Sequence, residues 1–130
     1  MNDKKLNQRI IEDLLVIPNE LREAEIIQAK AKQSLDEQKG IVSDAEFDAE
    51  LNAVIDGRNA EERKRQLKQA IAESSAVQLA QTELFAQEAE LIELEANTIA
   101  ISRRFRAALA LAELQSARMN LLAKYPKSDN

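Results

Sequence analysis

Apolar side chains recur every three or four residues along most of this chain, with polar side chains filling the positions between them. The first such segment places Leu6, Ile10, Leu14 and Ile17 on one helical face, and Ile11 and Leu15 widen it. Pro18 follows. A proline has no amide hydrogen for the helical ladder and restricts the residue before it, so a short N-terminal helix is expected to stop at Ile17. Pro18 also suits the first position of a new helix. A second pattern then runs through Leu21, Ala24, Gln28, Ala31, Leu35, Gln38, Val42, Ala45 and Ala49. Ala and Gln dilute this seam, and Gly40 within it costs about 1 kcal/mol relative to Ala. One long helix to about Ile55 is expected. A break near Gly40 to Ser43 is the alternative, since Ser43 and Glu46 have the spacing of a capping box.

Asp56-Gly57-Arg58-Asn59 is the strongest punctuation in the chain. Gly57 suits a left-handed residue after a helix end, and Asn59 suits an N-cap with Glu61 and Glu62 in the turn that follows. A short helix is expected from Ala60 to about Glu73, with Leu67, Ala70 and Ile71 on its inner side. Ser74 and Ser75 offer another boundary, where Ser75 and Gln78 fit a capping box; the chain either bends there or runs straight through.

The last segment is the most regular. Val77, Ala80, Leu84, Gln87, Leu91, Leu94, Thr98, Ile101, Phe105, Ala108, Ala112, Gln115, Met119 and Leu122 keep three-four spacing. A helix from Ala76 to about Lys124 has a length on the order of 70 Å. Pro126 and the polar tail should end it, with residues 1–5 and 126–130 as flexible ends. A seam of that length needs another long helix, either from the same chain or from a second copy. The expected fold is therefore all-α: a single elongated helical domain over residues 1–130, built as a helical hairpin or coiled coil. Leu84, Leu91, Leu94, Ile101, Phe105 and Met119 are the candidate oligomer seam. Gln87, Thr98 and Gln115 occupy seam positions, either tolerated near bundle edges or selecting register and copy number.

Composition supports this reading. Aromatics are 3% of the chain, and Gly and Pro occur twice each, which leaves little with which to fill a thick core or turn a sheet. The absence of Cys and His removes disulfides, thiolate chemistry, the usual zinc ligands and the most common general base. Carboxylate pairs such as Glu90 with Glu93, or Asp44 with Asp48, share a helix face. Without a histidine they do not make a di-iron motif. Gly40 and Gly57 are isolated and form no phosphate loop. No enzyme activity, cofactor, metal or small-molecule substrate is expected. The polar start, Met1 to Arg9, lacks a signal-peptide core, and no apolar run approaches the roughly 20 residues that span a bilayer, so a cytoplasmic, membrane-free protein is expected.

Charge adds detail. The net charge is -5, against indiscriminate nucleic-acid binding. Yet Glu73, Glu83, Glu88, Glu90, Glu93 and Glu95 fall in a stretch with no base. Arg58, Arg63, Lys64, Arg65 and Lys68 face only Glu61 and Glu62, and Arg103, Arg104 and Arg106 form a second basic knot. The first cluster either neutralises the acidic stretches of the long helices or stays free at a helix start, where backbone donors also attract anions. In an antiparallel hairpin the second is expected near Lys30 and Lys32, concentrating positive charge in one band suited to phosphate backbone. The alternative for that knot is an ordinary solvated face or an intersubunit ion pair. Phe85 and Phe105 are expected to be buried and only Tyr125 exposed, so base stacking has few platforms. Candidate nucleic-acid-binding residues are thus Arg58, Arg63, Lys64, Lys68, Arg103, Arg104, Arg106, Lys30 and Lys32.

The segment Asp56-Gly57-Arg58-Asn59-Ala60-Glu61-Glu62-Arg63-Lys64, followed by Leu67 and a long Ala/Glu/Leu helix with Arg103-Arg104-Phe105, resembles small helical phage and prophage proteins of the UvsY-type recombination-mediator group. The likeness covers the region from Asp56 to Met119. It implies a homo-oligomeric, non-enzymatic accessory to DNA recombination in the host cytoplasm, working with single-stranded DNA and a recombinase or annealing protein. The acidic total departs from a strong DNA binder. A purely structural or chaperone-like coiled-coil adaptor is the second reading, and an acidic decoy for a basic DNA-binding surface is a third.

Overall fold

A computed structural model describes residues 3–124, and these form three helices: α1 (Asp3–Leu51), α2 (Ala60–Glu73) and α3 (Ser75–Lys124). No strand occurs among the described residues. The expected ending at Pro126 and the expected exposure of Tyr125 lie outside them. Residues 3–5, expected to be flexible, belong to α1.

α1 runs unbroken through Pro18, so the separate short N-terminal helix is corrected. The physical reason is register. Ile17 and Leu21 are one helical step apart, which makes the two stripes a single stripe from Ile10 to Ala49, and the burial gained along it outweighs one lost ladder bond. Ile10, Ile17, Ala24, Leu35, Gln38 and Val42 are buried on that stripe, while Pro18 is exposed. The helix also continues through Gly40, and a Cβ added there would meet nothing within 4 Å.

α1 stops at Leu51, short of the expected Ile55. Its last turns carry Glu46, Asp48 and Glu50 and no base, an unfavourable set beside the negative end of a helix dipole. Asn52 closes the end, its backbone and side-chain nitrogens both donating to the Asp48 carbonyl, at 3.1 and 2.9 Å. α2 and α3 match the expected boundaries to within a residue. The chain does bend between them, but the cap is Ser74 and not Ser75. Ser74 Oγ accepts from the Val77 N–H at 3.3 Å, and Gln78 Nε2 reaches back to the Ala72 carbonyl at 2.8 Å.

The chain divides into two compact units. In the first, residues 3–27 of α1 run antiparallel to residues 94–124 of α3. Its core is Ile17, Ala24, Ile101 and Ala108, with Leu14, Leu21 and Phe105 packed against them. Ion pairs of 3.0 Å join Arg104 to Glu20 and Arg118 to Asp3, which fixes the antiparallel sense. The second unit, residues 28–93, holds the rest of α1, all of α2 and the start of α3. Leu35, Gln38, Val42, Val77 and Ala80 are buried there. Gln38 Nε2 donates to the Ala80 carbonyl at 2.9 Å, a buried polar contact that ties α1 to α3.

Candidate interaction faces

The cationic cluster on α2 is held in place by its own N-terminus. Asn59, in extended conformation, accepts from the Glu62 N–H through Oδ1 at 2.9 Å, while the Glu62 carboxylate accepts from the Arg58 N–H at 3.0 Å. This is a variant of the capping box in which the carboxylate takes the N–H of the residue before the cap. Gly57 donates its N–H to Gln66 Oε1, and Gln66 in turn donates to Asp56 Oδ1. The role expected of Gly57 is corrected: no glycine has positive φ among the described residues. A Cβ at Gly57 would lie 2.9 Å from both the Arg63 nitrogen and Glu62 Cβ, so it is the close approach of loop to helix that excludes larger residues.

Two consequences follow for the cluster. The backbone donors of Gly57, Arg58, Glu62 and Arg63 are already occupied within the chain. The cations themselves are exposed, and none of Arg58, Arg63, Lys64, Arg65 and Lys68 enters an ion pair among the described residues. Among the described residues, α2 forms no ion pair with the chain's own acidic stretches.

The second basic knot is split by role. Arg104 is engaged by Glu20, whereas Arg103 and Arg106 are exposed and without an ion pair among the described residues. Lys30 and Lys32 are exposed as well, but they lie in the other unit, roughly three helical turns beyond Glu20 along α1. Within the first unit, α1 meets Arg104 with the carboxylate of Glu20.

The candidate seam residues lie mostly against the chain's own helices. Ile101 is buried, Phe105 packs on the first core, and Leu84, Leu91 and Leu94 are half-buried. Met119, by contrast, is 50% exposed. Phe85, expected to be buried, is 64% exposed, and its neighbours on the outer side of α3, Leu79 and Ile92, are 73% and 66% exposed. The signal for this outer strip was in the sequence. Thr82, Phe85, Ala89, Ile92, Ala96 and Ile99 keep a second three-four spacing that the inner seam obscures. A helix apolar on two sides is covered on only one by a single antiparallel partner.

Open grooves lie in both units among the described residues. One of about 420 Å³, in the first unit, is lined by Ile10, Ile11, Leu14, Gln115 and Met119, and Gln115 Nε2 is buried there with no hydrogen-bond partner. Another, about 590 Å³ in the second unit, is bordered by Asp44, Asp48 and Glu73. Among the described residues no three potential ligands are grouped to hold a metal ion, and no helix is long and apolar enough to cross a membrane. No known protein family, curated protein or solved structure matches this chain. The described residues leave large apolar side chains such as Phe85 exposed, and Arg63, Lys64, Arg103 and Arg106 make no ion pair among them.

Proposed function

We propose that this chain is a non-enzymatic, self-assembling helical accessory protein that bridges single-stranded DNA and a protein partner, in the manner of a phage-type recombination mediator. The observation that carries the proposal is the amount of large apolar surface left uncovered. Leu79, Phe85, Ile92 and Ile99 on α3, and Ile11, Leu15, Ile41 and Phe47 on α1, are each more than half exposed. Monomers seldom leave such strips bare, and long amphipathic helices gain most of their stability by packing on others. The DNA part is supported by Arg103 and Arg106, which are exposed and make no ion pair among the described residues, and by the resemblance of the region from Asp56 to Met119. Contact of this kind is directed at phosphate, modest per copy and strongly dependent on salt.

Fluorescence anisotropy with a single-stranded oligonucleotide tests this. Binding is expected at low salt, and Arg103→Ala with Arg106→Ala should weaken it and flatten its log-log salt slope by about 2. Arg104→Ala, removing a cation already held by Glu20, should do less. No binding of the intact chain at low salt sinks the DNA half of the reading. The second reading, a protein-only coiled-coil adaptor, then stands; it is favoured by the Arg104–Glu20 pair, which withdraws one cation from the knot.

A further inference from the structure

We infer that the outer face of the first part of α3 is a docking strip for the basic helix α2 of a second copy of this chain. The inference rests on the self-assembly proposed above and names the surfaces that perform it. On the helical wheel, Leu79, Phe85, Ala86, Ala89 and Ile92 form one continuous outer strip, opposite the seam of Val77, Ala80, Leu84 and Leu91. Glu83 and Glu90 border that strip on one side and Glu88 on the other, and Glu93 sits within it. None of these four carboxylates enters an ion pair among the described residues. The strip thus presents large apolar side chains between carboxylates on both edges, with Glu93 among them.

α2 has the complementary character. Leu67, Ala70 and Ile71 are half-buried, which turns Lys64, Arg65 and Lys68 outward. Their aliphatic stems are long enough to lie over Phe85, Ala89 and Ile92 while the charged heads reach the bordering glutamates, and a cation over the Phe85 ring adds to the contact. Both surfaces belong to one unit, yet no ion pair joins them among the described residues. Opposite charges left open on one molecule are brought together by a second copy, and a two-fold axis makes the contact twice. This assigns the α2 cations to assembly and leaves Arg103 and Arg106 to an anionic partner.

Charge exchange on the full-length chain tests the contact. Lys64→Glu with Lys68→Glu should weaken self-association at least tenfold by light scattering or sedimentation at micromolar concentration, with helix content unchanged. Glu83→Lys with Glu90→Lys should do the same, and the four changes combined should restore it. Because the chain has no cysteine, a Lys68→Cys copy mixed with a Glu90→Cys copy should also join through a short bifunctional maleimide, a readout that tolerates weakened variants. A monomeric parent chain sinks the self-assembly reading itself. An oligomeric parent that ignores the α2 reversal, or gives no mixed cross-link, overturns this inference alone. Loss of oligonucleotide binding with unchanged association on α2 reversal also overturns it, by assigning the cluster to nucleic acid.

Discussion

At the scale of single residues, polar side chains inside the helical seams divide into two kinds. Gln38 is buried and donates to the Ala80 carbonyl, so its amide fixes α1 against α3. Gln115 is equally buried, but its Nε2 has no partner. A buried donor without an acceptor costs on the order of 1–3 kcal/mol, and an apolar group of similar shape removes that cost. Gln115→Leu is therefore expected to raise the unfolding free energy by about 1 kcal/mol, measured as a higher urea midpoint at unchanged slope. A lower midpoint would mean that this amide is satisfied by a contact of the assembly. Both glutamines occupy seam positions by spacing alone, and their different surroundings come from the opposite helix. Asn59 was legible for another reason: its partners are three residues away, so local sequence contains the whole cap.

Among the elements, the spans of α2 and α3 are legible in the sequence because their boundaries are set locally, by Asn59, by Ser74 and by uninterrupted spacing, although the sequence pattern points to Ser75 as the cap. α1 was divided at Pro18 because the penalty of proline is also local, whereas the benefit that overrides it is spread over a stripe from Ile10 to Ala49. Pro18 is exposed and its cost in a helix interior reaches roughly 3 kcal/mol. Pro18→Ala should accordingly stabilise the chain by about 2 kcal/mol and raise the helical signal in circular dichroism. If the variant is less stable, Pro18 is instead shaping a bend that a partner surface requires. Gly57 misled for the reason opposite to Asn59. Its local preference suits a left-handed turn, but its actual constraint is the backbone of the following helix, 2.9 Å from where a Cβ would stand.

For the molecule as a whole, apolar surface is the decisive quantity. The buried hydrophobic residues are few and small, many of them Ala and Val, while Leu79, Phe85 and Ile92 lie open. Folding linked to association makes the melting temperature depend on concentration. A hundredfold rise in protein concentration is expected to raise Tm by on the order of 5 °C, and a Tm independent of concentration would rule out coupling between the two. The sequence alone determined the helical class, the ends of α2, the start of α3 and the inner faces of the long helices, since each follows from spacing and caps within a few residues. It also determined which chemistry is missing, as a chain without Cys and His lacks those groups in any fold. The tertiary structure decided what required two distant segments at once: that α1 is continuous, that Arg104 meets Glu20, that the α2 cations make no ion pair among the described residues, and that Phe85 faces outward. Those outcomes depend on the register between α1 and α3, a sum of many weak contacts that periodicity permits without selecting.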